Sequence, residues 1–78
     1  MASAFVFVDI RLDAEMEVLK ELPKVPEVKK SYFVYGVYVV VAKVEAVSLD
    51  HLKEVITWKI RRLDNVASTV TSVVSAGT

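Results

Sequence analysis

Two stretches of this sequence carry side chains that could bind a small molecule. In Tyr35-Gly36-Val37-Tyr38, the glycine would let a ligand approach the backbone, and the tyrosines offer apolar faces with hydroxyl tips. Near the C-terminus, the hydroxyl side chains that could donate hydrogen bonds to a carboxylate are Ser68, Thr69, Thr71 and Ser72. Each stretch also has a structural interpretation, because aromatic residues pack across strands and threonine is favoured in strands.

His51 is the only histidine, with Asp50 beside it and Glu54 three residues further on. A metal site needs three or four ligands, and a catalytic triad needs a nucleophile within reach. The sequence indicates neither, so we interpret His51 as a solvated or interface residue. Beside Trp58 it could make assembly sensitive to pH. We predict no catalytic residue, no metal ligand and no cofactor.

Composition favours a single domain over residues 1–78 that is supported by self-association. A chain of 78 residues without cysteine has no disulfides, and its core alone gives marginal stability. The hydrophobic fraction of 54% and the mean hydropathy of +0.43 leave apolar surface for other subunits to cover.

Net charge and the length of the apolar runs argue against a nucleic-acid-binding protein, a membrane-spanning protein and a secreted protein. Ten basic residues balance ten acidic ones, and the only paired basic residues are Lys29-Lys30 and Arg61-Arg62. The longest apolar run, residues 33–42, is too short for a helical span of about 20 residues. The first residues do not have the pattern of a signal peptide, so we expect a cytoplasmic protein. The absence of glutamine and cysteine is typical of an archaeal or thermophilic source.

Residue patterns predict a strand, a helix and a hairpin in the first half. Residues 4–12 alternate with a period of two, with Val6, Val8, Ile10 and Leu12 on the core side. Asp13 is predicted to cap a helix whose apolar stripe is Ala14, Val18, Leu19 and Leu22, and Pro23 ends it. Strands at 28–35 and 37–45 then form a tight hairpin, for which Gly36 supplies positive φ.

The second half predicts a helix and a last strand. Ser48 caps the helix, and its core stripe is Leu49, Leu52, Ile56, Ile60 and Leu63. A second face, away from the core, carries His51, Val55, Trp58 and Arg62. Asn65 accepts a left-handed conformation in the turn at 64–66, and a strand follows over 66–75.

The order strand, helix, strand, strand, helix, strand predicts an α+β fold, the ferredoxin-like split βαβ sandwich (βαββαβ). Its four-stranded antiparallel sheet carries both helices on one face. The other face is bare in a single chain. By alternation we expect this face to carry Phe5, Phe7, Val39, Val41, Thr69, Thr71 and Val73.

Three segments accompany this order of elements: VPEV (25–28), VYGVYVVVAKVEA (34–46) and IRRLDNVASTVTSVV (60–74). With this order and these segments, the sequence resembles the effector-binding domain of the leucine-responsive regulator/AsnC (Lrp/AsnC) family. It is most similar to stand-alone versions without a DNA-binding half, the regulation of amino-acid metabolism (RAM) domains. The resemblance extends from Phe5 to Val74. It implies dimers joined through their sheets, rings of dimers that are commonly octamers, and amino-acid effectors bound between dimers.

The resemblance also implies that the hairpin turn and the last strand line the pocket. The family turn reads glycine, any residue, an aromatic, then aspartate; Gly36, Val37 and Tyr38 match, whereas Val39 replaces the aspartate. That change removes an obvious partner for an α-ammonium group. The candidate ligand-binding residues are Tyr35, Gly36, Tyr38, Thr69 and Thr71.

We therefore expect a non-enzymatic, oligomeric amino-acid-binding domain that acts in transcriptional regulation through a partner, such as a full-length Lrp/AsnC regulator. A different class remains open: a small dimeric α+β-barrel enzyme in which a tyrosine or His51 acts on an aromatic or carbonyl substrate. A third possibility is a structural subunit that assembles and binds no ligand.

Overall fold

The computed structural model describes residues 1–37 and 39–74, and it confirms the ferredoxin-like fold. The elements in chain order are β1 (Ala2–Ile10), α1 (Glu15–Glu21) with a 3-10 turn (Leu22–Lys24), β2 (Val28–Val34), β3 (Val39–Ala46), α2 (Leu49–Val55) continued by a π-helical segment (Ile56–Ile60), and β4 (Val66–Val74). The four strands are antiparallel and lie in one sheet in the order β2-β3-β1-β4. No helix within the described ranges is long and apolar enough to span a membrane.

The core lies between the helices and one face of the sheet. In β1 the predicted alternation is confirmed, since Val6 and Val8 are fully buried whereas Phe5 and Phe7 are 38% and 39% exposed. The other fully buried large side chains in the described part of the chain are Val18, Leu22, Val40, Val44, Leu52, Val55 and Ile60. Burial of each such side chain contributes about 1.5–3 kcal/mol.

The opposite face, which we call the open face, has no covering element in the described chain. Register places Phe5 opposite Lys43 and Phe7 opposite Val41, so these side chains point the same way. Tyr32 and Val34 continue this face on β2, because they pair with Val41 and Val39. The predicted apolar face is therefore confirmed for its β1 and β3 residues.

Strand β4 differs from the prediction because it contains a bulge. Asp9 pairs with Ser68 but Ile10 pairs with Val66, which leaves Ala67 as an extra residue. One extra residue inverts the facing of every later side chain. Thr69 pairs with the buried Val8, so it lies on the helix side.

The same phase applies to the rest of β4. Thr71 and Val73 pair with Val6 and Ala4, and therefore also lie on the helix side. The expectation that Thr69, Thr71 and Val73 share the open face with Val39 is wrong. The β4 residues on the open face are instead Ser68, Val70, Ser72 and Val74.

The connection from β1 to α1 also differs from the prediction. Asp13 has φ of 63° and does not cap the helix; Ala14 occupies the N-cap position without a side-chain bond. Strand β1 ends at Ile10, and Leu12 is 88% exposed rather than in the core. Aspartate tolerates the left-handed conformation, so the chain turns before the helix begins.

The β2–β3 connection is longer than predicted. The last pair of the ladder joins Val34 to Val39, so residues 35–38 form the connection. Gly36 does not have positive φ, and the expectation that it supplies one is wrong. Apart from Gly36 itself and its two chain neighbours, no atom of the described residues lies within 4 Å of the position that a Cβ on Gly36 would take.

The second helix begins as predicted, because the Ser48 hydroxyl accepts the His51 N–H at 3.1 Å. The buried side of the helix differs from the predicted stripe at two positions, because Val55 is only 2% exposed whereas Leu49 is 45% exposed. The helix then widens into the π-helical segment, in which the Arg61 N–H donates to the Ile56 carbonyl at 3.0 Å. Placing Val55 on the solvent face was therefore wrong, and so was placing Leu49 in the core.

Candidate functional site

A polar pair lies on the open face at the end where the hairpin connection emerges. The Ser68 hydroxyl donates to Asp9 Oδ2 at 2.8 Å. Asp9 is exposed and pairs across the ladder with Val39, so their side chains lie side by side on the same face. The structure thus places a carboxylate next to the position where the sequence lacks one. Sequence reasoning missed Asp9, although its alternation in β1 with Phe5 and Phe7 was visible.

Two of the three predicted turn residues lie in the described part of the hairpin connection. Tyr35 is 77% exposed, and its ring meets Phe33 edge to face with 4.7 Å between centroids. Gly36 is exposed as well. Tyr38 lies outside the described residues. The accessible turn residues can therefore contact a ligand or another subunit without any change of fold.

Thr69 and Thr71 line an open groove of about 300 Å³ between the second helix and β4, which we call the β4 groove. Its other lining residues are Lys53, Ile56, Thr57, Arg61 and Val73. The π-helical segment contributes Ile56 and Thr57, and Arg61 follows it directly. The predicted hydroxyl pair is thus brought together, but beside two cations and on the helix side.

The predicted residues do not form one pocket within a single chain. The hairpin connection joins β2 to β3, whereas the β4 groove lies at the other edge of the sheet. Strand β1 separates β3 from β4. A site that uses both groups would therefore need a second chain.

Glu27 makes the most buried ion pair, a contact that sequence reasoning also missed. Its carboxylate accepts from His51 Nε2 at 3.0 Å and from Lys59 Nζ at 3.3 Å, and its side chain is only 17% exposed. The hydrogen bond from His51 holds the pKa of Glu27 below its ordinary value. Burial acts in the opposite direction, and Lys59 lowers the pKa by a smaller amount than His51 does. His51 is therefore a structural residue that fixes the loop before β2 to the second helix.

Trp58 is 60% exposed and is partly covered by Arg62, whose guanidinium carbon lies 4.8 Å from the ring centroid. The cover comes from the turn that follows the π-helical segment, four positions along the chain. Within the described chain, no group of three or more His, Cys, Asp or Glu side chains could hold a metal ion.

Comparison with known proteins decides the family. The sequence model for the Lrp/AsnC ligand-binding domain matches residues 3–76, which is nearly the whole chain. The chain belongs to the Lrp/AsnC ligand-binding domain family. It is therefore a regulatory effector-binding domain, as the resemblance implied.

Solved structures agree with this assignment. The chain is 37% identical to FFRP-DM1, with a TM-score of 0.90 over 96% of this chain and 100% of that one. It is 28% identical to AsnC from E. coli, with a TM-score of 0.86 over 94% of this chain, and it spans 50% of that protein. A regulator from Neisseria meningitidis solved as an L-Met complex, NMB0573, shares the fold at 19% identity, with a TM-score of 0.84 over 97% of this chain and 51% of that one. No curated protein matches the sequence.

Because the chain belongs to the Lrp/AsnC family, the hairpin end of the open face is the part of the molecule where we expect a ligand site. Val39 of this Lrp/AsnC domain stands where the resemblance implied an aspartate, and Asp9 lies beside it on the neighbouring strand. The Asp9 carboxylate is held by Ser68, which fixes its orientation. The signal that could have found it is the pairing of β1 with β3, which depends on register rather than on local sequence.

Proposed function

We propose that this Lrp/AsnC domain is a cytoplasmic, oligomeric sensor of an amino acid, with Asp9 as the partner of the α-ammonium group. The observation that carries the proposal is the Asp9–Ser68 pair beside Val39 on the open face. A carboxylate one strand away from position 39 offers the charge that position 39 lacks, because directly paired residues have Cβ atoms about 5 Å apart. The output would pass to transcription through a partner regulator.

The surroundings of Asp9 suit an amino acid with an apolar side chain. Phe7 and Val70 pair with each other one step along the open face, and both are exposed. Val34, which pairs with Val39, is 39% exposed. An ammonium group at Asp9 would leave an apolar side chain in contact with these residues. The L-Met complex of the Neisseria meningitidis regulator is consistent with such a ligand.

Oligomerisation completes the proposal. The open face carries several apolar side chains that are each more than a third exposed: Phe5, Phe7, Tyr32, Val34, Val70 and Val74. A second copy that covers the part of this face away from Asp9 would bury Phe5, Tyr32 and Val74, which supports a dimer through the sheets, and it would leave Phe7, Val34 and Val70 to the ligand. Tyr35 and Gly36 would then reach a neighbouring dimer in a ring, and Tyr38, which lies outside the described residues, stays a candidate from its sequence position. Thr69 and Thr71 remain candidates only through such a neighbour, because they lie on the other side of the sheet from Asp9.

Binding is tested by a thermal-shift screen against the standard amino acids, followed by calorimetry. A ligand at 100 times its dissociation constant adds about 2.7 kcal/mol of stability, which is readily measured. Asp9→Asn should weaken binding about tenfold or more, because it removes the charge but keeps the size. Asp50→Asn, an exposed residue on α2, is the matched control and should bind normally. A domain that binds no amino acid, or an Asp9→Asn variant with unchanged affinity, would contradict the proposal.

The role of the turn is tested separately with Gly36→Ala. The added methyl group meets no neighbouring atom within 4 Å, so the fold should be retained. Weaker binding by this variant would place the turn in the site; unchanged affinity would remove it. Light scattering tests assembly, and Phe5→Glu should disrupt the dimer because it places a charge in the covered part of the face. A strictly monomeric wild-type protein at high concentration would refute the oligomeric part.

A further inference from the structure

The β4 groove has a chemistry that differs from that of the Asp9 end of the sheet. Two cations, Lys53 and Arg61, line it together with the side chains of Thr57, Thr69 and Thr71. No aspartate or glutamate is among its lining residues. Neither Lys53 nor Arg61 makes an ion pair in residues 1–37 and 39–74, although Lys24, Lys43 and Lys59 all do. The groove therefore offers positive charge and hydroxyl donors to a ligand.

The two cations give the groove two positions for anionic groups. Lys53 precedes the π-helical segment and Arg61 follows it, and both line the groove. Thr69 and Thr71 face them from β4, about 7 Å apart along the strand. Ile56 and Val73 provide an apolar surface between the polar ends. A dicarboxylate offers one carboxylate to each cation, whereas a halide carries a single charge for both.

The absence of a carboxylate among the lining residues disfavours an ammonium group in this groove. An amino acid bound here would hold its ammonium beside two cations with no acidic partner, and like charges repel. The corresponding acid without the ammonium meets no such penalty.

We propose that the β4 groove is a second ligand site of this Lrp/AsnC domain, and that it binds a short-chain dicarboxylic acid that lacks an ammonium group, such as a 2-oxo acid. Lys53 and Arg61 bind the two carboxylates, and the threonine hydroxyls donate to them. The site lies on the helix side of the sheet and does not depend on Asp9. It would let one domain respond to an amino acid on one face and to a deaminated acid on the other.

The test is calorimetry of the full chain with 2-oxoglutarate and with glutamate, which share a carbon skeleton and differ at the ammonium position. We expect 2-oxoglutarate to bind about tenfold or more tightly than glutamate. Lys53→Gln and Arg61→Gln should each weaken 2-oxoglutarate binding about two- to fivefold, because both cations are exposed and screened by solvent. Lys20→Gln, an exposed lysine on α1, is the control and should change nothing.

Several outcomes would overturn the site. These are no binding of 2-oxoglutarate, equal binding of both compounds, inorganic phosphate binding as tightly as the dicarboxylate, or variants of Lys53 and Arg61 that bind like the wild type. Asp9→Asn separates this site from the amino-acid site, because it should reduce amino-acid binding and leave 2-oxoglutarate affinity unaltered. Loss of 2-oxoglutarate affinity in Asp9→Asn would show that the two ligands share one site and would also refute the assignment.

Discussion

Replacing Glu27 by glutamine should destabilise the domain and alter its response to acid. Glu27 belongs to the loop before β2, and it binds the second helix through His51 at 3.0 Å and Lys59 at 3.3 Å. Its backbone carbonyl also accepts the Glu45 N–H at 2.9 Å, which holds the loop against β3. Glutamine keeps that backbone bond and the size of the side chain but removes the charge.

The magnitude follows from how exposed each partner is. The bond to His51 should contribute about 1 kcal/mol, a typical value for a hydrogen bond inside a folded protein. Lys59 is 47% exposed, so its contribution is reduced by solvent screening to about 0.5 kcal/mol or less. The variant should therefore lose about 1–1.5 kcal/mol at neutral pH. For a domain of this size, that corresponds to a Tm lower by about 5–10 °C.

The loss should depend on pH in a defined direction. Because the pKa of Glu27 is lower in the folded chain, its charge stabilises the fold above the pKa of the unfolded chain, about 4.3. The stabilisation is lost as the pH falls below that value through the lowered pKa. Wild type and Glu27→Gln should thus differ at neutral pH and converge in acid.

Thermal and urea unfolding at fixed protein concentration would measure this difference, because any self-association makes Tm depend on concentration. Glu54→Gln is the matched control, since it removes the same charge from an exposed position on α2. His51→Asn should reproduce most of the loss and Lys59→Met little of it. Equal stabilities of Glu27→Gln and Glu54→Gln at neutral pH would refute the assignment of a stabilising role to this ion pair.

Three further predictions concern the backbone, the core and the exposed indole. Asn65 has φ of 71°, and its side-chain amide donates to Glu17 at 2.6 Å. Asn65→Ala should therefore lower the free energy of unfolding in urea by about 1–2 kcal/mol, and Asn65→Gly should lower it less, because glycine accepts the same φ. Equal losses in the two variants would contradict this. Leu52 is fully buried, so Leu52→Ala should cost about 2–5 kcal/mol, whereas exposed Leu12→Ala should cost almost nothing. Trp58 is the only tryptophan, so the fluorescence of the protein reports on this ring. Acrylamide should quench that fluorescence more strongly in Arg62→Ala than in the control Arg11→Ala, because Arg62 covers the ring. Equal quenching in the two variants would argue against the contact.

The fold could be predicted because the signals for it are local and agree with each other. The alternation of β1 and the Ser48 cap both reappear in the structure. Asn65 takes the left-handed conformation that its residue type allows. The element order then leaves few topologies, so the sheet and its helical face follow without knowledge of any long-range contact.

The contacts that define the candidate site could not be predicted in the same way, because they join residues far apart in the sequence. Glu27 reaches His51 and Lys59 on another element, and Asp9 reaches Ser68 across the sheet. None of these pairs has the short spacing that marks a contact within one helix or one turn. The helix stripe was misplaced for a related reason: the apolar pattern suits either Leu49 or Val55 in the core, and packing selects Val55.

The facing of β4 shows how much depends on one residue. A strand without a bulge that starts with Val66 toward the helices would put Thr69 and Thr71 on the open face, which is what alternation predicts. The extra residue Ala67 moves both threonines to the cationic groove and brings Ser68 to Asp9 in the same step. Alanine has no property that indicates a bulge, so the sequence contains no local sign of this change. Both proposed ligand sites, on opposite sides of the sheet, therefore depend on a backbone irregularity that only the pairing of β1 with β4 reveals.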